Sequence, residues 1–158
     1  MELDRRLFVL TAAAMPLYAG PAVVFTANEA ALITALTDHI IPADDLPGAL
    51  AAGVIFYIDK QLAGPLRRYH AAYQTGLAGF EASCRQQTKE AFLELDHKMQ
   101  SAFLQTVESS AFFNMVVDHT MQGFYGSPEH GGNRGEASWK MLGIEAVMQG
   151  HINQGHKH

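Results

Sequence analysis

Apolar residues recur every three or four positions along most of the chain. In the first such stretch, residues 27–40, polar Thr34 and Asp38 separate apolar Leu32, Leu36 and Ile40. This spacing places apolar side chains on one face of an α-helix. The same spacing predicts helices over residues 49–62, 66–87 and 97–109, and a further helix that begins at Ser109 and Ser110. No segment alternates with period two for long, so we predict an all-α protein of five or six helices.

Polar residues with capping chemistry mark the predicted helix ends. Thr26 and Glu29 have the spacing of a capping box, and Asp96 and Ser110 can each accept a backbone N–H at a helix start. Pro42 ends the first helix, because the residue before a proline avoids the helical conformation. Pro42 is followed by a turn in which Asp44 or Asp45 accepts a backbone N–H, and Gly64 with Pro65 closes the second helix.

The chain's length and composition limit the classes of protein it can be. A length of 158 residues fits one domain with one core. The net charge of −5 argues against a nucleic-acid surface, which needs clustered Lys and Arg. The single cysteine, Cys84, lies on an apolar stripe and is predicted to be a small core residue. On the last predicted helix we expect these residues to point inward: Phe112, Phe113, Val116, Val117 and Met121.

A charged pair followed by an apolar run opens the chain. Arg5 and Arg6 precede an uncharged, mostly apolar stretch that starts at Leu7 and Phe8. This layout resembles a twin-arginine export signal, which would make residues 1–25 a targeting segment. Proline and glycine interrupt the run, so a cleaved signal is favoured over a membrane anchor. An uncleaved anchor and a buried first helix remain the alternatives. Small residues that suit cleavage occur at Gly20-Pro21-Ala22 and, less clearly, at Leu17-Tyr18-Ala19.

Residues 123–143, which we call the glycine-rich segment, contain six of the 14 glycines and the only tryptophan. Glycine and proline at this density predict a shaped loop, neither helix nor strand. Its aromatic side chains could fold back and plug the core, or could anchor a partner protein. The candidate partner-interface residues are Gly123, Phe124, Tyr125, Gly126, Gly131, Gly132, Asn133 and Trp139.

No established catalytic or cofactor motif is present in the sequence. The glycines near Asn133 do not follow the order G-x-G-x-x-G and do not follow a predicted strand. There is no C-x-x-C-H haem motif, and one cysteine cannot hold an iron–sulfur cluster. His119, Glu129 and His130 lack a recognised metal-ligand spacing, so we expect a hydrogen-bonded His119. The histidines of residues 146–158 are expected on a mobile polar tail.

Two separated motifs together indicate a family. The first is I-I-P-x-D-x-x-P-G-A at Ile40–Ala49, followed by Gly53-Val54 and Ile58-Asp59. The second is G-F-Y-G-x-P-x-x-G-G-N-x-x-x-x-x-W-x-x-x-G, which is the glycine-rich segment itself. Both resemble the gluconate 2-dehydrogenase subunit 3 family, so residues 26–145 are expected to form a helical subunit 3 domain. Members are small, non-catalytic subunits of bacterial membrane-associated flavin dehydrogenases.

The resemblance implies what this chain works with. It implies a large FAD-dependent catalytic subunit of the glucose-methanol-choline type, and usually a multihaem cytochrome c subunit, so that FAD and haem c lie in the partners. Arg5, Arg6 and Phe8 would engage the twin-arginine translocase and carry a signal-less flavoprotein to the periplasm, where the complex sits at the inner membrane. The alternative function is an independent exported helical protein that binds a metal or small ligand. A neighbouring reading frame that encodes a large flavoprotein without a signal would favour the first interpretation.

Overall fold

A computed structural model describes residues 24 to 149, and this part of the chain is all helices, turns and loops without a β-strand. The predicted all-α class is therefore confirmed. Residues 145–149 are also helical. The six bounded α-helices are α1 (Ala27–Ile40), α2 (Val54–Ala63), α3 (His70–Thr88), α4 (His97–Val107), α5 (Ala111–Tyr125) and α6 (Ala137–Leu142). Short 3-10 turns lie between them at Arg67–Tyr69, Phe92–Glu94, Pro128–His130 and Arg134–Glu136.

Side-chain caps start three of these helices where the sequence predicts them. The Thr26 backbone N–H donates to the Glu29 carboxylate at 2.8 Å, and the Glu29 N–H donates back to the Thr26 hydroxyl at 3.3 Å. Asp96 accepts the Met99 N–H at 2.8 Å. Ser110 accepts the Phe113 N–H at 3.2 Å. These bonds satisfy N–H groups that have no partner within the helix.

The predicted start of α2 is wrong by five residues. Residues 49–53 form turns, and α2 begins at Val54. Gly53 has φ +66°, a left-handed conformation that interrupts a helix and that glycine adopts at little cost. The third predicted helix also starts later than expected, since a 3-10 turn at Arg67–Tyr69 precedes α3. The predicted Asp44 turn is confirmed, because the Asp44 carboxylate accepts the Leu46 N–H at 2.8 Å.

Helices α1, α2 and α5 pack against one another, and α3 closes a further side of α5. An aromatic group joins α3 to α4, with the Phe80 ring centroid 5.0 Å from that of Phe92 and 5.1 Å from that of Phe103. Cys84 is fully buried, as predicted, and burial raises the pKa of its thiol. The fully buried apolar side chains include Leu32, Ile33, Leu36, Val54, Ile58, Leu62, Tyr73 and Val116.

One inward prediction on α5 is wrong. Met121 is 44% exposed, whereas Val116 is buried and Phe112, Phe113 and Val117 are half-buried. The apolar face of α5 is wider than the strip that the neighbouring helices cover, so Met121 lies at its uncovered edge. Between residues 24 and 149 we find no helix that combines the length and the apolar character needed to span a membrane. Residues 1–23 of the predicted signal segment, which spans 1–25, and residues 150–158 of the predicted tail, which spans 146–158, lie outside the described residues.

Candidate functional site

The glycine-rich segment is loop only in its middle. Gly123, Phe124 and Tyr125 form the last turn of α5, and residues 137–142 form α6. The prediction of a continuous loop is therefore wrong at both ends. Gly123, within α5, faces the Tyr57 ring of α2, and a Cβ on Gly123 would lie 2.8 Å from Tyr57 Cδ1. Here glycine provides room for a close helix contact instead of breaking the helix.

Gly132 brings the backbone of the loop close to the backbone of α5 at Gly123. It is buried, and a side chain built on it would overlap the carbonyl oxygen of Gly123. The same side chain would also stand 3.0 Å from the Cβ of Tyr57. Since an overlap with backbone cannot be relieved by a rotamer change, a larger residue at position 132 would push the loop away from α5.

Asn133 holds the two ends of the loop together. Its side chain is completely buried, and its amide nitrogen donates to the Gly126 carbonyl at 3.0 Å. Its amide oxygen accepts from the Ser138 backbone N–H and from the Ser138 hydroxyl, each at 2.9 Å. Asn133 itself has φ +43°, a left-handed conformation that asparagine tolerates better than most residues. One amide group thus connects the end of α5 to the start of α6.

Trp139 makes the second connection between these helices. Its ring is 1% exposed, and its indole N–H donates to the Tyr125 carbonyl oxygen at 3.0 Å. That carbonyl lies in the last turn of α5, where backbone acceptors have no partner within the helix. Phe124, which is also 1% exposed, fills the core beneath this contact. Both rings are therefore buried within this chain, and Phe124 belongs to its hydrophobic core.

The loop contacts α2 and the turn before it, the stretch that also carries Gly53 and Asp59 of the first motif. The Arg134 backbone N–H donates to the Ala52 carbonyl at 2.9 Å, and the Arg134 guanidinium lies 3.3 Å from the centroid of the Phe56 ring. Arg134 also occupies the space beside Gly53, where a Cβ would be 2.5 Å from its Cδ. Lys60 donates to the Glu129 carbonyl at 2.7 Å. The glycine-rich segment thus packs on the stretch that carries the end of the first motif, although many residues separate the two in the sequence.

Few of the predicted interface residues present their side chains to solvent. Phe124, Asn133 and Trp139 are buried, and the backbone of Gly123 and Gly132 is buried with them. Gly126 and Gly131 are half-buried, and Tyr125 is 39% exposed. The interface hypothesis therefore rests on Tyr125 and on two more exposed apolar side chains of α5 and α6 that the sequence did not assign to an interface. They are Met121 on α5, which the sequence placed in the core, and Leu142 on α6, and they are 44% and 52% exposed. We call Met121, Tyr125 and Leu142 the α5–α6 edge.

His119 on α5 is a buried titratable group that contacts α3. The Tyr73 hydroxyl and His119 Nδ1 are 3.0 Å apart, and both residues are buried. Burial lowers the pKa of His119, an effect that Asp118 opposes and Arg68 reinforces. Burial also raises the pKa of the Tyr73 phenol. The predicted hydrogen-bonded role of His119 is confirmed, and the described residues contain no group of three or more His, Cys, Asp or Glu side chains that could hold a metal.

The sequence did not identify Arg134, Asp59 or the role of Gly53. Asp59 is 2% exposed, and its carboxylate accepts the backbone N–H groups of Val24 and Phe25, which precede α1. Its place in the first motif was the only available signal, since an acidic residue in a helix is usually exposed. The partner of Gly53 could not be foreseen, because Arg134 reaches it only when the loop folds back on α2.

Comparison with known proteins agrees with the architecture described above. The model of the family described as gluconate 2-dehydrogenase subunit 3 matches residues 27–145. No curated protein and no solved structure gives a significant match to the chain. The matched range starts with α1 and extends past α6, so it includes both motifs and the contacts that join them. The chain therefore belongs to the gluconate 2-dehydrogenase subunit 3 family.

Proposed function

We propose that this chain is the non-catalytic small subunit of a gluconate 2-dehydrogenase-like flavin dehydrogenase, and that it assists the export, assembly and stability of the FAD-bearing catalytic subunit. The observation that carries the proposal is the family match over residues 27–145. The expected partners are a large subunit of the glucose-methanol-choline type and a cytochrome c subunit. FAD and haem c would be bound by those partners, and this chain would bind neither.

The α5–α6 edge is the surface we assign to the catalytic subunit. Met121 and Tyr125 are four residues apart on α5, so their side chains share one face of the helix. Trp139 and Asn133 fix the backbone at this edge through their hydrogen bonds to Tyr125 and Gly126. On a backbone that is already fixed, binding costs side-chain freedom but little backbone freedom, which favours an interface.

A matched pair of double variants tests this surface. Met121→Ala with Tyr125→Ala removes side chains that are 44% and 39% exposed. The control, Met99→Ala with Leu93→Ala, removes side chains that are 42% and 39% exposed but lie on α4 and the turn before it. Affinity purification from membranes would be followed by the FAD absorbance of the co-purified large chain.

We expect the first double variant to lose at least about tenfold in co-purified flavin, since one interface tyrosine often contributes roughly 2 kcal/mol. The control should keep the flavin, and both variants should melt near the wild-type temperature because every changed side chain is partly exposed. Equal flavin yields from the two double variants would reject the α5–α6 edge as the interface.

We further propose that the twin-arginine translocase exports this chain together with its flavin partner, so that the complex resides in the periplasm at the inner membrane. Arg5, Arg6 and Phe8 supply the motif that supports the proposal. Changing both arginines to lysine keeps the charge but removes the guanidinium groups. The altered chain and its partner should then accumulate in the cytoplasm. Undiminished periplasmic dehydrogenase activity in such cells would contradict export by this route.

A further inference from the structure

Helices α3 and α5 form the walls of an open trough of about 600 Å³. Ala72 and Thr75 line it on α3, and Ala111, Asp118, His119 and Gln122 line it on α5. From Ala111 to Gln122 the lining follows α5 for about 16 Å. All of these residues except His119 are exposed, so the trough is shallow. It therefore suits an extended peptide of about five residues better than a compact ligand, most of whose surface a small-molecule site would bury.

A buried pair of side chains sets one hydrogen-bond donor of the trough. His119 is 4% exposed, and its Nδ1 lies 3.0 Å from the hydroxyl of Tyr73, which is completely buried. Burial raises the pKa of Tyr73 and lowers that of His119, so both are neutral at neutral pH. The buried phenol donates its O–H to Nδ1, which leaves the ring proton of His119 on Nε2. Within residues 24–149 this ring makes no second hydrogen bond, and Nε2 is not enclosed by protein, so Nε2–H can bind an acceptor in the trough.

Asp118 gives the trough its charge. Of the residues that line the trough, it alone carries a formal charge at neutral pH. Its side chain is exposed, and it forms no ion pair with the part of the chain that the structure describes. Burial is the main influence on the pKa of His119, but Asp118 raises that pKa, so the carboxylate lies near the imidazole. A cationic group is therefore attracted to the trough beside the Nε2–H donor.

The trough adjoins the surface that we assign to the catalytic subunit. Gln122 lines the trough and precedes Tyr125 of the α5–α6 edge by three residues, so the two side chains are neighbours on α5. The Tyr57 hydroxyl donates to Gln122 Oε1 at 3.0 Å, which holds this side chain in place. A chain that binds the α5–α6 edge can therefore continue along α5 into the trough.

We propose that the trough holds an extended segment of the FAD-bearing catalytic subunit. In this arrangement a backbone carbonyl oxygen of the segment accepts the His119 Nε2–H, and a Lys or Arg side chain of the segment pairs with Asp118. This inference rests on the proposed function, which supplies the catalytic subunit as the partner. A neutral carbonyl suits the donor better than a carboxylate does, because the charge of Asp118 would repel a second carboxylate. A donor that the Tyr73 hydroxyl already orients loses little freedom on binding.

Photo-crosslinking within the purified complex identifies what lies in the trough. Thr75→Cys provides a thiol in the trough for a thiol-specific photoreactive label, and the control Ala78→Cys provides one at an exposed site of α3 outside the lining. The native Cys84 is buried and does not take up the label. We expect the label at position 75 to capture one segment of the large chain, and mass spectrometry to find Lys or Arg in that segment. The label at position 78 should not capture it.

Two pairs of variants test the chemistry of the contact through the flavin that co-purifies with this chain. Asp118→Asn removes the charge of the trough, whereas the control Glu90→Gln removes the charge of an exposed side chain outside it. We expect Asp118→Asn to lower the flavin yield about fivefold and the control to leave it unchanged. His119→Gln keeps an N–H donor at the depth of Nε2, whereas His119→Asn is too short, so the asparagine variant should yield about fivefold less flavin than the glutamine variant.

Each part of the inference has its own contradicting result. Equal flavin yields within a pair would overturn the contact that the pair tests. Capture of residues 1–23 of this chain, or of a second copy, by the label at position 75 would overturn the proposed occupant. If the large chain co-purifies but this label does not reach it, the trough inference fails while the proposed function stands. If no flavoprotein co-purifies with the wild-type chain, the proposed function itself fails.

Discussion

Replacing Asn133 with alanine should cost more stability than any exposed substitution in the glycine-rich segment. The change removes one hydrogen bond to Gly126 and two to Ser138, all made by a fully buried side chain. Lost bonds of this kind cost about 1 kcal/mol each, and buried groups left unpaired cost more. Alanine at the φ of +43° adds roughly 1 kcal/mol of backbone strain. We therefore expect Asn133→Ala to destabilise the fold by about 4 kcal/mol.

Denaturant unfolding followed by far-UV circular dichroism would measure this loss, with the melting temperature falling by roughly 10 °C. Two variants separate the contributions. Asn133→Gly loses the bonds without the strain, and should cost about 1 kcal/mol less than alanine. Ser138→Ala loses only the hydroxyl bond and should cost about 1 kcal/mol. A loss below about 1 kcal/mol for Asn133→Ala would refute the claim that this amide clamps the ends of α5 and α6.

Two further predictions concern the buried residues Gly132 and His119. Gly132→Ala places a methyl group against the Gly123 carbonyl and should lower the melting temperature by about 5 °C. The control, Gly79→Ala in α3, places a methyl group with no atom within 4 Å and should raise the melting temperature slightly. Burial lowers the pKa of His119 in the folded chain, so as the pH falls the unfolded chain takes up a proton on this side chain at a higher pH than the folded chain does. Stability should therefore fall as the pH drops below about 6.5, the ordinary pKa of histidine. In His119→Gln, the melting temperature should fall less between pH 7.5 and pH 5.5 than in the wild type. An unchanged dependence of melting temperature on pH would show that His119 is not its cause.

The helical class and the starts of α1, α4 and α5 were predictable because their causes are local. Thr26, Asp96 and Ser110 each cap a helix through N–H groups no more than three residues away. The start of α2 was not predictable, since the left-handed Gly53 faces the side chain of Arg134, which the loop brings there from the other motif. Spacing alone could not detect a contact between such distant parts of the chain.

The sequence predicted which segment forms the candidate site, but it did not predict which of its side chains are buried or what they contact. Asparagine is mostly exposed in proteins, so nothing in the sequence indicated that Asn133 is buried. Its three hydrogen bonds become visible only when Gly126 and Ser138 are brought to either side of it. Met121 was assigned to the core because apolar periodicity does not report how much of a helix face its neighbours cover. Only the packing of the folded chain shows that the side chains of the α5–α6 edge are exposed.

Native mass spectrometry of the complex purified from membranes can show whether this chain is a subunit of a flavin dehydrogenase. We expect the chain, whose 158 residues have a mass of 17.2 kDa before any signal is removed, to travel with one large chain that carries FAD, in a fixed ratio and with dehydrogenase activity. Disrupting the complex should leave the FAD on the large chain. Recovery of this chain alone, with no flavoprotein bound under conditions that preserve the enzyme's activity, would contradict its role as a dehydrogenase subunit.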